Sequence, residues 1–387
     1  MKHLISHLPS MSLEQERVFM RTDFNVPLKD GMIMSDFRLQ AVRPTIDYLL
    51  EKQAYIVLAT HLGRPQGPDL HYSTKQLIPW FLDHGYAIEF AENPTVAAQK
   101  SKEKKSHLIL LENLRFFPGE KKQDEAFALQ LKSCGDIFVN DAFGTLHRNE
   151  TSLTLLPALY EQDKKTIGFL IEKEITHLNK LINDPKKPFI TILGGGKIKT
   201  KLPFIESIVK KVDHILLCPA LVFTILHALG IPTGKSLVDE EALDAIKTFL
   251  TTADAQKIVL PSDFQVALEN INSALITTEG QAIPENGIGT AIGPKTTENF
   301  CTHIQKAKTV FFNAAMGFPT NPATMQATQQ LLEALATSKA YTVVGGGDSV
   351  AAAFNANVAE KIDFLSTGGG ATLAYLSGQK LPGLAYM

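Results

Sequence analysis

Two doubly wound parallel-sheet α/β domains, Rossmann-like and joined by a hinge helix, are predicted by two features of the sequence. Short apolar runs rich in β-formers alternate with segments of helical period, and three glycine triplets stand where such a run gives way to a helix pattern. The strand candidates are Val18–Met20, Tyr55–Ala59, Leu108–Leu111, Ile137–Val139, Phe189–Leu193, Ile215–Leu217, Ile258–Leu260, Thr309–Phe312 and Tyr341–Val344. Between them, Ser35–Glu51 and Asp124–Lys132 space their apolar residues three and four apart, as helices that cover a parallel sheet do. A helical pattern over 168–183, followed by the breaker-rich stretch Asp184–Pro188, divides the chain into a first domain (1–167) and a second (184–370). A single helix between two such lobes would leave a cleft, and a small rotation about its ends would open or close it.

Composition excludes several classes. The 387 residues carry 38 Lys+Arg against 40 Asp+Glu and are 44% hydrophobic, so the chain is neither compositionally disordered nor a polybasic nucleic-acid binder. The N-terminal stretch has no apolar core of signal-peptide length. The longest apolar stretch, around Ile215–Leu226, contains Pro219 and is too short to span a bilayer. Cytoplasmic residence with no membrane partner is the expectation. Cys134, Cys218 and Cys301 lack any paired spacing, which leaves them as buried small hydrophobes rather than disulfide or zinc ligands. Every arginine (Arg17, Arg21, Arg38, Arg43, Arg64, Arg115, Arg148) lies in the first 148 residues, whereas the rest of the chain uses only lysine. The planar fork of arginine suits bidentate contact with carboxylate or phosphate.

Polar motifs follow the strand candidates of the first half: RTDFNVP (21–27), THLGRP (60–65), ENLRFFPGE (112–120) and NDAFGTLHR (140–148). Open parallel sheets bind ligands at the carboxyl ends of their strands. Asp23, Asn25, His61, Arg64, Arg115, His147 and Arg148 would then share one edge, with Arg38 added from the start of the next helix. That is a basket for a small, multiply anionic molecule, and an acid beside an amide suits a ligand that also carries a hydroxyl. The second half holds the glycine turns ILGGGKIKTKL (192–202), VVGGGDSVAAA (343–353) and STGGGATLAYL (366–376). Such turns let backbone amides close on phosphate oxygens at a helix N-terminus. None is a Walker motif and none is GxGxxG, which speaks against a nicotinamide-dependent oxidoreductase. Lys197 and Lys201 supply charge for phosphoryl oxygens, and Asp348 supplies a carboxylate for magnesium. Phosphoryl transfer is the reading that unites the halves. It needs no general base if the acceptor is a carboxylate, already ionised at neutral pH.

The motifs RTDFNVP, THLGRP, LENLRF, NDAFGTLHR, GFLIEKE, LGGGK, VVGGGDS and STGGGA, in this order and spacing over essentially the whole chain, resemble those of phosphoglycerate kinases. The resemblance implies a cytoplasmic, hinge-bending monomer of glycolysis that interconverts 1,3-bisphosphoglycerate and ADP with 3-phosphoglycerate and ATP, using Mg²⁺. It makes Asp23, Phe24, Asn25, Arg38, His61, Leu62, Gly63, Arg64, Arg115 and Arg148 the phosphoglycerate contacts. Gly195, Gly196, Lys197, Lys201, Asn313, Thr320, Gly346, Gly347, Asp348 and Ser349 become the nucleotide contacts. Arg38, Lys197 and Lys201 act on the transferring group, and Asp348 on the metal. Residues 371–387 resemble a segment that returns to the N-terminal lobe. Departures cluster on the adenosine side. Cys218, Pro219 and Ala220 precede Leu221 where three glycines and a methionine are usual, Thr320 replaces a glutamate, Ala291 an aspartate and Phe364 a histidine. They imply weaker or less selective nucleotide binding, or, as an alternative, a non-catalytic descendant that still binds phosphoglycerate.

Overall fold

The computed structural model describes residues 6–196 and 198–387. Internal contacts divide the chain into two units, Met1–His177 with Lys380–Met387, and Leu178–Gln379. The division falls inside the helix Phe169–Ile182, and of the C-terminal segment only Lys380–Met387 groups with the first unit.

The first unit is built on a six-stranded sheet in the order Glu89–Ala91, Leu108–Leu111, Tyr55–Ala59, Arg17–Thr22, Ile137–Asp141, Lys165–Ile167, every adjacent pair parallel. Its apolar runs look continuous because both faces are covered. Val18, Met20, Ile56, Leu58, Leu108, Leu110, Ile137 and Val139 face one core, where Leu39, Val42, Ile46 and Leu49 of the helix Phe37–Glu51 meet them. Phe19, Val57, Ala59, Ile109, Leu111 and Phe138 face the other, against Phe127 and Leu131 of the helix Glu125–Lys132. Successive residues of a strand thus serve alternate cores, as the pleat requires. The chain closes this unit from its far end, where Gly383 N donates to Leu146 O at 3.0 Å and Asn140 Nδ2 donates to Gly383 O at 3.2 Å.

The second unit has the strand order Ile258–Val259, His214–Ala220, Phe189–Gly195, Thr309–Asn313, Tyr341–Gly345, Phe364–Ser366, again all parallel. The chain starts at Phe189–Gly195, fills one side, then returns to fill the other, so the strand order reverses between Phe189–Gly195 and Thr309–Asn313. A separate antiparallel sheet of Leu275–Thr277, Phe264–Leu268 and Gly287–Ile292 lies outside the doubly wound core. Cys134 and Cys218 are buried and Cys301 is half-buried, all as free thiols. Among the described residues, no helix is long and apolar enough to cross a membrane.

Asp141 ties strand, helix and turn together in the first unit. Its Oδ1 accepts from Ile171 N at 3.1 Å, in the first turn of the helix Phe169–Ile182, and its Oδ2 accepts from Thr45 Oγ1 at 2.6 Å. Only glycine fits at 168, because a Cβ there would lie 2.2 Å from Asp141 Cγ. Burial pushes the Asp141 carboxyl up to about 7 despite these donors. The unfolded chain releases this proton near pH ~3.9, whereas the folded chain holds it to about 7. Folding therefore takes up a proton between those values, and stability falls as pH rises through them, by at most about 1.4 kcal/mol per pH unit. Denaturant melts of the wild type and Asp141→Asn across pH 4–7 test this. The variant is expected to show the shallower fall, and equal slopes would contradict the assignment.

Candidate active site

The carboxyl ends of the first unit's strands hold most of the expected basket. Arg17–Thr22 delivers Asp23, whose Oδ2 pairs with Arg38 Nη1 at 3.1 Å. Arg38 sits in the first turn of the helix Phe37–Glu51 and also donates to Asn25 O at 3.1 Å. Asn25 Oδ1 accepts from Gly63 N at 2.8 Å, which locks the loop after the first strand to the loop after Tyr55–Ala59. His61 is fully buried, and burial together with the positive charges of Arg21, Arg115 and Arg38 holds its ring well below the usual histidine range. The ring is neutral, so its Nδ1, 3.8 Å from Asp23 Oδ1, makes no ion pair. Phe24 and Leu62 turn their side chains into the core, leaving backbone as what they offer a ligand. Arg64 and His147 are exposed, and Arg64 forms no ion pair among the described residues.

Three residues that the sequence did not single out organise this site. Asn113 Nδ2 donates to the carbonyls of Leu62 at 2.8 Å and Tyr72 at 2.7 Å, while its Oδ1 accepts from Arg115 N at 3.0 Å. Glu150 is buried and receives Arg115 Nη2 at 2.9 Å and Arg148 Nη1 at 3.4 Å on Oε1, and Arg21 Nη2 at 3.5 Å on Oε2. Arg21 is itself fully buried, and its Nε donates to Ser152 Oγ at 2.8 Å. No motif spacing marks Asn113 or Glu150. The signal available in the sequence was only that each lies within or beside a quoted polar motif. Three polar atoms in this cluster, both ring nitrogens of His61 and Arg115 Nε, are buried without a hydrogen-bond partner among the described residues. Buried polar groups are almost always paired, so these unpaired atoms at the strand ends single out the cluster as a candidate site for a polar ligand.

In the second unit the ends of Phe189–Gly195 and Thr309–Asn313, the strands flanking the reversal, bring Lys201 to Asn313. Lys201 Nζ donates to Asn313 Oδ1 at 2.7 Å and to Gly194 O. Burial lowers the Lys201 ammonium to about 8, so it remains mostly charged at neutral pH. Asn313 Nδ2 reaches Gly345 O at 2.5 Å, which joins the first and second glycine turns. Gly346, at φ +96°, caps the helix Gly347–Asn355, and a Cβ there would lie 2.3 Å from Asn313 Nδ2. That helix begins with exposed Gly347 and Asp348, then buried Ser349, whose Oγ accepts from Ala315 N at 3.2 Å. Gly195 lies at the end of its strand, with Gly196 following it and exposed. Lys197 lies outside the described residues.

Among the described residues, no cluster of three or more His, Cys, Asp or Glu could cage a metal ion. Asp348, a single exposed carboxylate in the first turn of a helix, fits a magnesium ion carried in by phosphates, which needs only one or two protein carboxylates. The adenosine-side departures resolve differently from one another. Cys218 is buried against Gly194, Ala291 is buried in the antiparallel sheet, Phe364 is buried, and Thr320 is exposed.

The family model for phosphoglycerate kinase matches residues 8–379. A phosphoglycerate kinase of Bdellovibrio bacteriovorus is 41% identical over 376 residues, covering 95% of this chain and 93% of its own. One from Anaeromyxobacter sp. (strain K) is 38% identical over 388 residues, covering 97% and 98%. The solved phosphoglycerate kinase of Pyrococcus horikoshii OT3 superposes with a TM-score of 0.86 at 29% identity, over 99% of this chain and 98% of that one. The Coxiella burnetii structure gives 0.81 at 30% identity, over 98% and 97%. With a whole-length family match, relatives near two-fifths identity and the fold in common, this chain belongs to the phosphoglycerate kinase family.

Proposed function

We propose that the protein is a glycolytic phosphoglycerate kinase, passing the terminal phosphoryl group of ATP reversibly to the carboxylate of 3-phosphoglycerate to give 1,3-bisphosphoglycerate and ADP. The observation that carries this reading is the set of buried, unpartnered donors and acceptors on Arg115 and His61 amid four arginines in the first unit. A neutral His61 offers one donor and one acceptor, which suits the hydroxyl of phosphoglycerate, while arginine forks suit its phosphate and carboxylate. Arg38, half-buried and anchored on Asp23, is the cation for the transferring group.

On the second unit, Lys201 and the glycine-turn amides would bind nucleotide phosphates, and the resemblance adds Lys197 as a further cation. Asp348 would hold magnesium, which neutralises phosphate charge when bound. The acceptor is ionised at neutral pH, so positioning, charge neutralisation and exclusion of water carry the rate, and domain closure about the connecting helix would supply the last of these. A cytoplasmic monomer is the accompanying expectation. The arginines, Lys201 and Asp348 disfavour a non-catalytic binding protein. Exposed Thr320 carries no charge for a ribose hydroxyl, and loss of a charge-assisted hydrogen bond typically costs about 1.5–3 kcal/mol. In this proposal that loss weakens ATP and GTP alike, since they share the ribose, and the changes at Cys218, Pro219 and Ala220 relax the choice between them.

A coupled steady-state assay with 3-phosphoglycerate tests the function. Turnover is expected with MgATP, lost without magnesium, and retained with MgGTP within about tenfold of ATP. Strong rejection of GTP together with tight ATP binding would refute the relaxed selectivity, and absence of turnover from folded protein would refute the kinase. Arg38→Ala is expected to lower kcat by at least about 100-fold, since it removes charge where the transition state develops it. Near-normal kcat in that variant would show that Arg38 is misassigned.

A further inference from the structure

We infer that Glu150 is a positioning residue for the acceptor site, a buried carboxylate that fixes the two arginines Arg115 and Arg148 in the attitude in which they receive phosphoglycerate. The inference rests on the reading of the first unit as the phosphoglycerate site, and it adds a residue that touches no substrate.

The geometry supports it from both directions. Toward the site, Glu150 Oε1 takes Arg115 Nη2 at 2.9 Å and Arg148 Nη1 at 3.4 Å. Arg115 Nη1 is at the same time committed to Gly63 O at 2.6 Å. Two of the three guanidinium nitrogens of Arg115 are thereby held by protein, and the third, Nε, is the buried atom left without a partner. The side chain is fixed in orientation, with Nε left as an unused buried donor. Away from the site, the carboxylate is held by groups that take no part in ligand binding. Its Oε2 faces Arg21 Nη2 at 3.5 Å, and Arg21 is anchored through Nε on Ser152 Oγ. Ser152 is held in turn by Glu120, its Oγ donating to Oε1 at 2.6 Å and its N to Oε2 at 3.0 Å. The backbone of Glu150 is fixed as well, since its carbonyl accepts from Leu153 N at 2.9 Å and from Thr154 N and Oγ1, both at 3.1 Å.

A flexible arginine loses rotamer freedom when it binds an anion, and prior fixation removes that cost from the binding step. Without Glu150 the two guanidinium groups would also repel each other. A carboxylate that only screened them would weaken anion binding, whereas one that orients them strengthens it, so the two roles predict opposite changes in the constant for the acceptor.

Glu150→Gln keeps the shape and one acceptor oxygen but loses the charge. The expected result is a rise of roughly tenfold in KM for 3-phosphoglycerate, with kcat within about threefold of wild type and KM for MgATP unchanged. An unchanged or lowered KM for 3-phosphoglycerate would overturn the proposal, as would an equal rise in both constants. If the glutamine variant fails to fold by circular dichroism, Glu150→Asp carries the same test. It keeps the charge but withdraws it by one methylene, and the same selective rise in acceptor KM is expected while no change would overturn the proposal. The wild type measured alongside separates the two levels. Turnover in wild type with unaltered constants in the variants refutes the positioning role alone, whereas no turnover in wild type refutes the reading of the site and this role with it.

Discussion

Burying an arginine without a counter-charge costs several kcal/mol, and the first unit buries Arg21 and Arg115 around the same carboxylate. Glu150 makes this possible. It stands two residues after Arg148, so the turn that carries one arginine of the proposed acceptor site also carries the carboxylate that pairs with another. The remaining features of the acceptor site follow from this concentration of positive charge. His61, buried among three guanidinium groups, stays neutral and is left to make hydrogen bonds rather than ion pairs. Asp23 is matched to Arg38, and Asn25 and Asn113 pin the intervening loops by their backbones.

The second unit solves a different problem. Its proposed phosphate site lies at the ends of two strands, where the described side chains of Lys201 and Asn313 tie turn to turn. Lys201 and Asn313 link the strand ends on either side of the reversal, and Asn313 passes the link to Gly345. Gly346 has to be glycine both for its positive φ and because Asn313 occupies the space of a Cβ. Lys201 is a point charge fixed between Asn313 and Gly194, while Arg115 and Arg148 are planar forks paired on Glu150.

Much of this was legible in the sequence. The apolar runs became strands of the two parallel sheets, because a strand covered on both faces needs apolar residues at every position, and the polar motifs lie at their carboxyl ends as the candidate site. What escaped was of three kinds. Edge strands such as Glu89–Ala91 and Lys165–Ile167 are short and carry charge, and the antiparallel strand Leu275–Thr277 is largely exposed, so neither shows a clear period. Glu150, Arg21 and Ser152 owe their roles to contacts across 131 residues of chain or to pairings such as Arg115 with Glu150, and no local pattern encodes such contacts. The ranking within the basket also escaped: Arg115 is buried and engaged, whereas Arg64, equally prominent in its motif, lies exposed.

In the proposed mechanism the first unit holds phosphoglycerate on a pre-oriented cationic cluster. Calorimetric titration of 3-phosphoglycerate into the full-length protein, without nucleotide and at low and high salt, measures this directly. Saturable one-site binding is expected in the absence of nucleotide, weakened by salt less than binding to a set of fully exposed arginines would be, because buried pairs are poorly screened. No binding of 3-phosphoglycerate by protein that binds MgATP under the same conditions would contradict it.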